Sequence, residues 1–373
     1  MFSKKTTQKV PKMNYLPVEA SLQEVFVHQM PLSPAQTGRI AKLCNGILLA
    51  GEVPLTKIAR FLKGESQQAS RVRWIKRLLE ADFMTQERVY QPILKQALLG
   101  FGDACWHVVI DRTALWKGID LATISLNYRK RAIPLVWTSV PYGGADAATY
   151  VHLLRRCVPL VPANVTVVFH GDSEFGSSEM IRALRDIGWD FILAQSKHCT
   201  FRVSVKAQSV PLASLPVTPQ QTCQLPHVEL FAHERLGGLN LLAFYQPHYS
   251  QPHKRKREIC YLATSLPLTP GLRRLGRRRW GTEPFYRDYK SSGWQVTASE
   301  LGTSRRQEGL LILLALSYLW TVCIGRWLCK TGQRRQVDNQ PTRHLSLFRI
   351  GWDWLIHRLR CDLPAPPFLR LYT

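Results

Sequence analysis

The sequence predicts an α/β protein whose core is interrupted by an antiparallel β insertion and flanked by helical regions at both ends. Between residues 106 and 194, short apolar runs alternate with helical stretches, the pattern of a sheet covered by helices. Between 201 and 269, Pro211, Pro216, Pro219, Pro226, Pro247 and Pro252 cut the chain into short β-prone pieces. On either side of this block the apolar residues recur at helical spacing.

The elements follow in order. Residues 1–30 read as a loosely ordered basic lead-in. Ser33 and Pro34 open a helix as N-cap and first-turn residue. Ile40, Leu43, Cys44, Ile47 and Leu48 line it until Gly51 and Pro54 break it. A second helix over 55–62 has Leu55, Ile58, Ala59 and Leu62 on one face. A third sets Val72, Ile75, Leu78 and Leu79 against Arg71, Arg73, Lys76 and Arg77. Short helices with a basic last member suit a DNA-binding bundle, although the same residues also make an ordinary solvated face.

Strands are predicted at 106–110, 121–126, 131–137, 165–170 and 190–194, with helices at 150–157 and 177–187. The insertion adds pieces at 228–232, 239–245 and 259–264, with a hairpin turn at Gly237-Gly238. The run His253-Lys254-Arg255-Lys256-Arg257 reads as an exposed tip or loop on it. Helices resume over 271–292 and 305–329. Residues 330–345 read as a polar linker and 345–359 as a last amphipathic helix. The implied segments are a helical DNA-binding domain (1–100), a core in two parts (101–200 and 270–330), the insertion (201–269) and a helical tail (331–373).

Charge narrows the function. The 373 residues carry 50 Lys and Arg against 26 Asp and Glu, a net charge of +24. Such a balance opposes compaction and favours a polyanionic partner, because neutralising phosphates releases counterions. The nine cysteines are odd in number and form no C-x-x-C pair, which argues against a disulfide framework and a zinc ribbon. Free thiols in a reducing cytoplasm are expected. The longest apolar run, 310–325, falls short of the about 20 residues that span a bilayer and reads as a buried core helix. No membrane association is expected.

Three acids stand out by position. Asp111 ends one apolar strand, in Ile110-Asp111-Arg112-Thr113. Asp172 ends another, in His170-Gly171-Asp172-Ser173-Glu174-Phe175. If the two strands are neighbours, their carboxyl ends bring these acids together, where ligand sites of α/β sheets lie. Taken singly, each is equally a turn or cap residue. Asp172-Ser173-Glu174 leaves open which acid of the two would bind a metal. Glu283 is the third, in a stretch (271–290) holding six Arg and one Lys. Three carboxylates make a hard, oxygen-rich site suited to Mg²⁺ or Mn²⁺. On one helix Arg279, Glu283, Arg287 and Lys290 would form a stripe of phosphate clamps around an acid. Pro284 means that either Thr282 caps a new helix or the helix kinks there.

These residues resemble the DDE transposases of bacterial insertion sequences, in the group whose signature is Y-x₂-R-x₃-E-x₆-K. Arg279, Glu283 and Lys290 match R, E and K at the right intervals; Gly276 stands at the Tyr position. Asp111 and Asp172 match the family's first two acids. The resemblance spans about residues 33–330. It implies a ribonuclease H-like core and two Mg²⁺ or Mn²⁺ ions held by Asp111, Asp172 and Glu283. Arg279 and Lys290 would bind DNA phosphates, with Arg278, Arg287, Lys254 and Arg255 as further DNA contacts. The implied partners are double-stranded DNA, at transposon inverted repeats and target, and a second copy of the chain in a synaptic complex. The implied location is the bacterial cytoplasm, at the nucleoid. A nuclease without strand transfer, or a non-catalytic DNA-binding derivative, is the alternative.

Overall fold

The computed structural model describes residues 16–247, 257–290, 293–299, 301–366 and 370–372. The chain divides into two compact units, Met1–Phe101 with Ala298–Thr373, and Gly102–Thr297.

In the first unit, α1 (Val18–Gln29) lies within the stretch expected to be a loose lead-in. It buries Val18, Leu22 and Phe26, spaced one turn apart, so packing supplies what its uncapped N-terminus lacks. α2 (Pro34–Ala50) starts at Ser33 with a full capping box to Gln36 and ends at Gly51, left-handed at φ 70°. α3 (Leu55–Arg60), α4 (Gln68–Leu79) and α5 (Gln91–Leu98) follow.

The second unit is built on a ten-stranded sheet. In chain order its elements begin β1 (Cys105–Trp116), β2 (Ile119–Tyr128), β3 (Arg131–Pro141), α6 (Ala147–Cys157), β4 (Thr166–Gly171), α7 (Ser178–Ile187) and β5 (Asp190–Gln195). They continue as β6 (Thr200–Arg202), β7 (Val210–Pro211), β8 (Cys223–Leu230), β9 (Leu236–Pro247), β10 (Arg257–Thr264), α8 (Leu272–Gly276), a 3-10 turn (Arg277–Thr282) and α9 (Glu283–Tyr289). The strand order is β3-β2-β1-β4-β5-β10-β9-β8-β6-β7. β1, β4 and β5 are parallel, and all other pairs are antiparallel.

The insertion strands are therefore not a separate sheet. β10 pairs with β5 and extends the core. Val168 and Ile192 share one buried cluster with Leu242, Phe244, Leu262 and Leu272. Gly237 and Gly238 lie inside β9, and the chain reverses before them, at 231–235. Phe231 and Arg235 take positive φ there, residue types that give no turn signal in a sequence.

The chain then returns to the first unit through α10 (Ser304–Lys330) and α11 (Leu347–Arg360). Residues 304–330, expected as part of the second half of the core, thus group with the N-terminal helices. α10 is long and apolar enough to cross a membrane, but its most apolar window is 94% buried, as expected for a core helix. Gly351 permits its close crossing with α11, since a Cβ there would lie 1.8 Å from the Thr321 carbonyl oxygen.

Candidate active site

β1 runs on beyond the predicted strand end, so Asp111 sits mid-strand opposite Thr123 of β2. What ends near it is the parallel ladder with β4, whose last pair is Val109 with His170. The chain beyond β4 reaches Asp172 just past the strand end, and its charge is felt at Asp111. Gly171 makes this approach possible: a Cβ there would lie 3.0 Å from both Ile110 Cγ2 and Phe175 Cβ. Asp172 also caps the next turn, accepting from the Glu174 N–H at 3.0 Å.

Asp111 is largely sequestered. Burial pushes its carboxyl up to about 6, and the Asp172 charge adds to the rise. Three contacts oppose it: the Thr282 hydroxyl, the Arg112 N–H and the Arg279 charge. Thr282 Oγ1 donates to Asp111 Oδ2 at 2.5 Å, and Arg112 N donates to Oδ1 at 2.8 Å. Tyr286 Oη donates to the Asp111 carbonyl oxygen at 3.0 Å. Lys290 Nζ donates to Thr113 Oγ1 at 2.6 Å; burial lowers its pKa while Asp120 and Asp111 raise it.

The helix restarts rather than kinks. Pro284 lies in the first turn of α9, and Arg279 belongs to the 3-10 turn before it, off the proposed stripe. Thr282 occupies the N-cap position, but its hydroxyl is spent on Asp111 instead of the helix. The face of α9 that reaches β1 is marked by Thr282, Tyr286 and Lys290. Thr282 and Tyr286 were not among the expected site residues; their one sequence signal is the four-residue spacing to Lys290.

Glu283 and Arg287 are exposed. Glu283 adjoins Thr282 in the chain, but among the described residues no three His, Cys, Asp or Glu side chains stand together as a metal-holding group. Arg279 stacks over Trp280 at 5.5 Å. Arg278 lies with His107 and His170, whose rings meet at 3.0 Å. Burial first, and then neighbouring charge, hold His107 down to about 4 and His170 to about 3. Lys254 and Arg255 lie outside the described residues. Gly276 packs in α8, where a Cβ would lie 2.8 Å from Leu262 Cδ1, so a Tyr side chain has no room there without a shift.

Of Asp172 and Glu174, the second is engaged by neighbouring side chains. Arg112, on the opposite face of β1 from Asp111, donates through Nε to both Glu174 oxygens at 2.7 and 2.9 Å. Tyr150 Oη also donates to Glu174 at 2.5 Å. Glu174 is thus an anchor for the turn carrying Asp172. The other face of the same guanidinium pairs with Asp120, a buried acid that also accepts from the Gly143 N–H at 3.2 Å. Asp288, the remaining nearby acid, faces Arg131 at 3.5 Å.

Residues 126–320 match a family profile described as the Transposase DDE domain. The match takes in Asp172 and Glu283 and begins beyond Asp111. Among solved structures the chain is similar to one described as the cryo-EM structure of piggyBac transposase synaptic complex with hairpin DNA. That likeness has 13% identity and a TM-score of 0.45, and covers 94% of this chain and 79% of the other. No curated protein matches.

Proposed function

The chain belongs to the Transposase DDE domain family, and we propose that it is a cut-and-paste DNA transposase of the Y-x₂-R-x₃-E-x₆-K group. The observation that carries this is the parallel β1–β4 ladder running toward Asp111 and Asp172, with the Asp111 charge disfavoured by burial and by the Asp172 charge. The order β3-β2-β1-β4-β5, antiparallel then parallel, supports a ribonuclease H-like core.

Two hard carboxylates, with the charge of Asp111 burdened by burial and by Asp172, are a fit for a divalent cation. Asp111, Asp172 and Glu283 would hold two Mg²⁺ or Mn²⁺ ions. Bound there, such ions supply charge stabilisation to the attacking and leaving oxygens of an in-line displacement. The side chains do the rest. Thr282 and Tyr286 fix β1 to α9 at Asp111, and Glu283 follows Thr282 in the chain. Arg112 and Glu174 hold the turn that presents Asp172. Arg279 and Lys290 bind phosphates beside the acids, and Arg278, Arg287, Lys254 and Arg255 extend that contact. In the first step water attacks phosphorus at the element end and the 3′ oxygen leaves, giving a free 3′-OH. In the second, this hydroxyl attacks a target phosphodiester, whose own 3′ oxygen leaves. The N-terminal helices read the inverted repeats, and two copies of the chain bring the ends together.

Pre-nicked duplex carrying the DNA that flanks the coding region tests this. With Mg²⁺ and a target plasmid, the expected product is end DNA joined covalently to target. Nicking without joining would indicate a nuclease, and binding without either a non-catalytic derivative.

A further inference from the structure

An open cleft of about 550 Å³ lies between the β2–β3 hairpin and the 277–284 segment, lined by Arg129, Lys130, Arg274, Arg277 and Arg278 with no carboxylate. The five cations are exposed, and among the described residues none is in an ion pair. Other half-buried arginines of this unit are spent on acids: Arg112 on Glu174, Arg131 on Asp288, Arg202 on Glu229. The cleft is therefore a concentration of unspent charge.

Its location relates it to Asp111. Thr123 is the β2 partner of Asp111, and Asn127 lies on the same face of β2 four residues on, about 13 Å away. Asn127 Nδ2 donates to the Arg278 carbonyl oxygen at 2.9 Å and packs against Gly281, where a Cβ would lie 2.7 Å from it. One short turn, Arg277–Thr282, thus forms a wall of the cleft at its start and bonds Asp111 at its end. A distance of about 13 Å corresponds to about four nucleotides along one DNA strand.

The hairpin tip adds an independent sign. Arg129 and Lys130 are both left-handed, at φ 47° and 65°. A two-residue turn of this kind is filled at least cost by Asn-Gly. Two long cations hold it here against that preference, as expected where charge is kept for binding.

We propose that this cleft grips the DNA sugar–phosphate backbone about four nucleotides from the phosphodiester held at Asp111 and Asp172, with Arg129 and Lys130 as its outer clamp. The inference rests on the transposase reading. It assigns the hairpin tip a phosphate-binding role that the signature residues do not include.

The test is the salt dependence of binding to a short duplex carrying the flanking DNA, measured by fluorescence anisotropy beside thermal denaturation. The variant pair is R129N/K130G, which restores the preferred turn, and R129Q/K130Q, which removes charge alone. Both are expected to lower the slope of log K against log salt by about 2 and to weaken binding roughly 10–100-fold at low salt. R129N/K130G is expected to keep or raise the melting midpoint, a direction that a merely structural role for Arg129 and Lys130 would reverse. Unchanged slopes in both variants, with salt-dependent binding by the native chain, would overturn the cleft assignment and leave the transposase reading standing. Absence of DNA binding by the native chain would overturn both.

Discussion

Replacing Asp111 by Asn is expected to stop DNA cleavage and, at pH 8, to make the fold more stable. Both effects come from one property of the site. Burial pushes the Asp111 carboxyl up to about 6 from an ordinary 3.8. A carboxyl raised on folding favours the protonated form in the native state, so its ionisation opposes folding. This cost is absent below pH 4, where the group is protonated whether folded or not. It grows between pH 4 and 6 and is complete above 6. A shift of that size corresponds to about 3 kcal/mol. Asn keeps the contact from Thr282 but loses an acceptor for the Arg112 N–H, about 1 kcal/mol. The expected net gain at pH 8 is about 2 kcal/mol, fading to nothing or a slight loss at pH 4. Thermal denaturation of both proteins at the two pH values reads it. Cleavage by the variant is expected to fall by at least about 10²–10³-fold. A variant less stable than the native chain at pH 8 would contradict the account of Asp111 as a charge-burdened carboxylate.

Arg112→Gln is expected to be the most destabilising single change around the site. Asp120 is only 1% exposed, and Arg112 is its charge partner. Its second oxygen, Oδ1, has no hydrogen-bond partner. Removing the guanidinium leaves the buried carboxylate with only the Gly143 N–H and the charge of Lys290, which costs about 3 kcal/mol. The same change removes the Arg112 bonds to Glu174, leaving it to Tyr150, and loosens the turn that presents Asp172. Denaturant unfolding of R112Q and of R112Q with D120N separates the two roles. The double variant is expected to recover most of the lost stability, because the buried charge is gone. It is not expected to recover cleavage, because Glu174 still lacks its two bonds from Arg112 and is held by Tyr150 alone. A loss below about 1 kcal/mol in R112Q would mean that Asp120 is compensated in another way.

The neighbouring placement of the strands that lead to Asp111 and Asp172 was legible because these strands are buried on both faces. Such strands read as continuous apolar runs, and an acid after each run marks the edge of the sheet's covered region. The true length of β1 was not legible. Asp111, Arg112 and Thr113 look like a strand end, yet pairing with Thr123, Ala122 and Leu121 of β2 carries the strand through them. Long-range pairing of this kind leaves no local trace. The same holds for the Arg112 network, whose partners lie 8 and 62 residues away. α1 escaped notice because its three apolar residues form a narrow stripe without a cap. The α9 region was ambiguous for a different reason. Thr282 before Glu283 and Pro284 is a fair N-cap by residue type, and only the fold reveals that its hydroxyl points to Asp111. α10 was readable throughout, since a helix apolar on all sides has to be buried.

Glu283 is the point on which the proposed chemistry turns, being exposed and next in the chain to Thr282, which bonds Asp111. The direct measurement is the single-turnover cleavage rate of Glu283→Gln on duplex carrying the flanking DNA, with Mg²⁺ and again with Mn²⁺. The expected result is a loss of at least about 10²–10³-fold with unchanged DNA binding and folding. A rate within tenfold of the native chain would remove Glu283 from the site, and with it the three-acid mechanism.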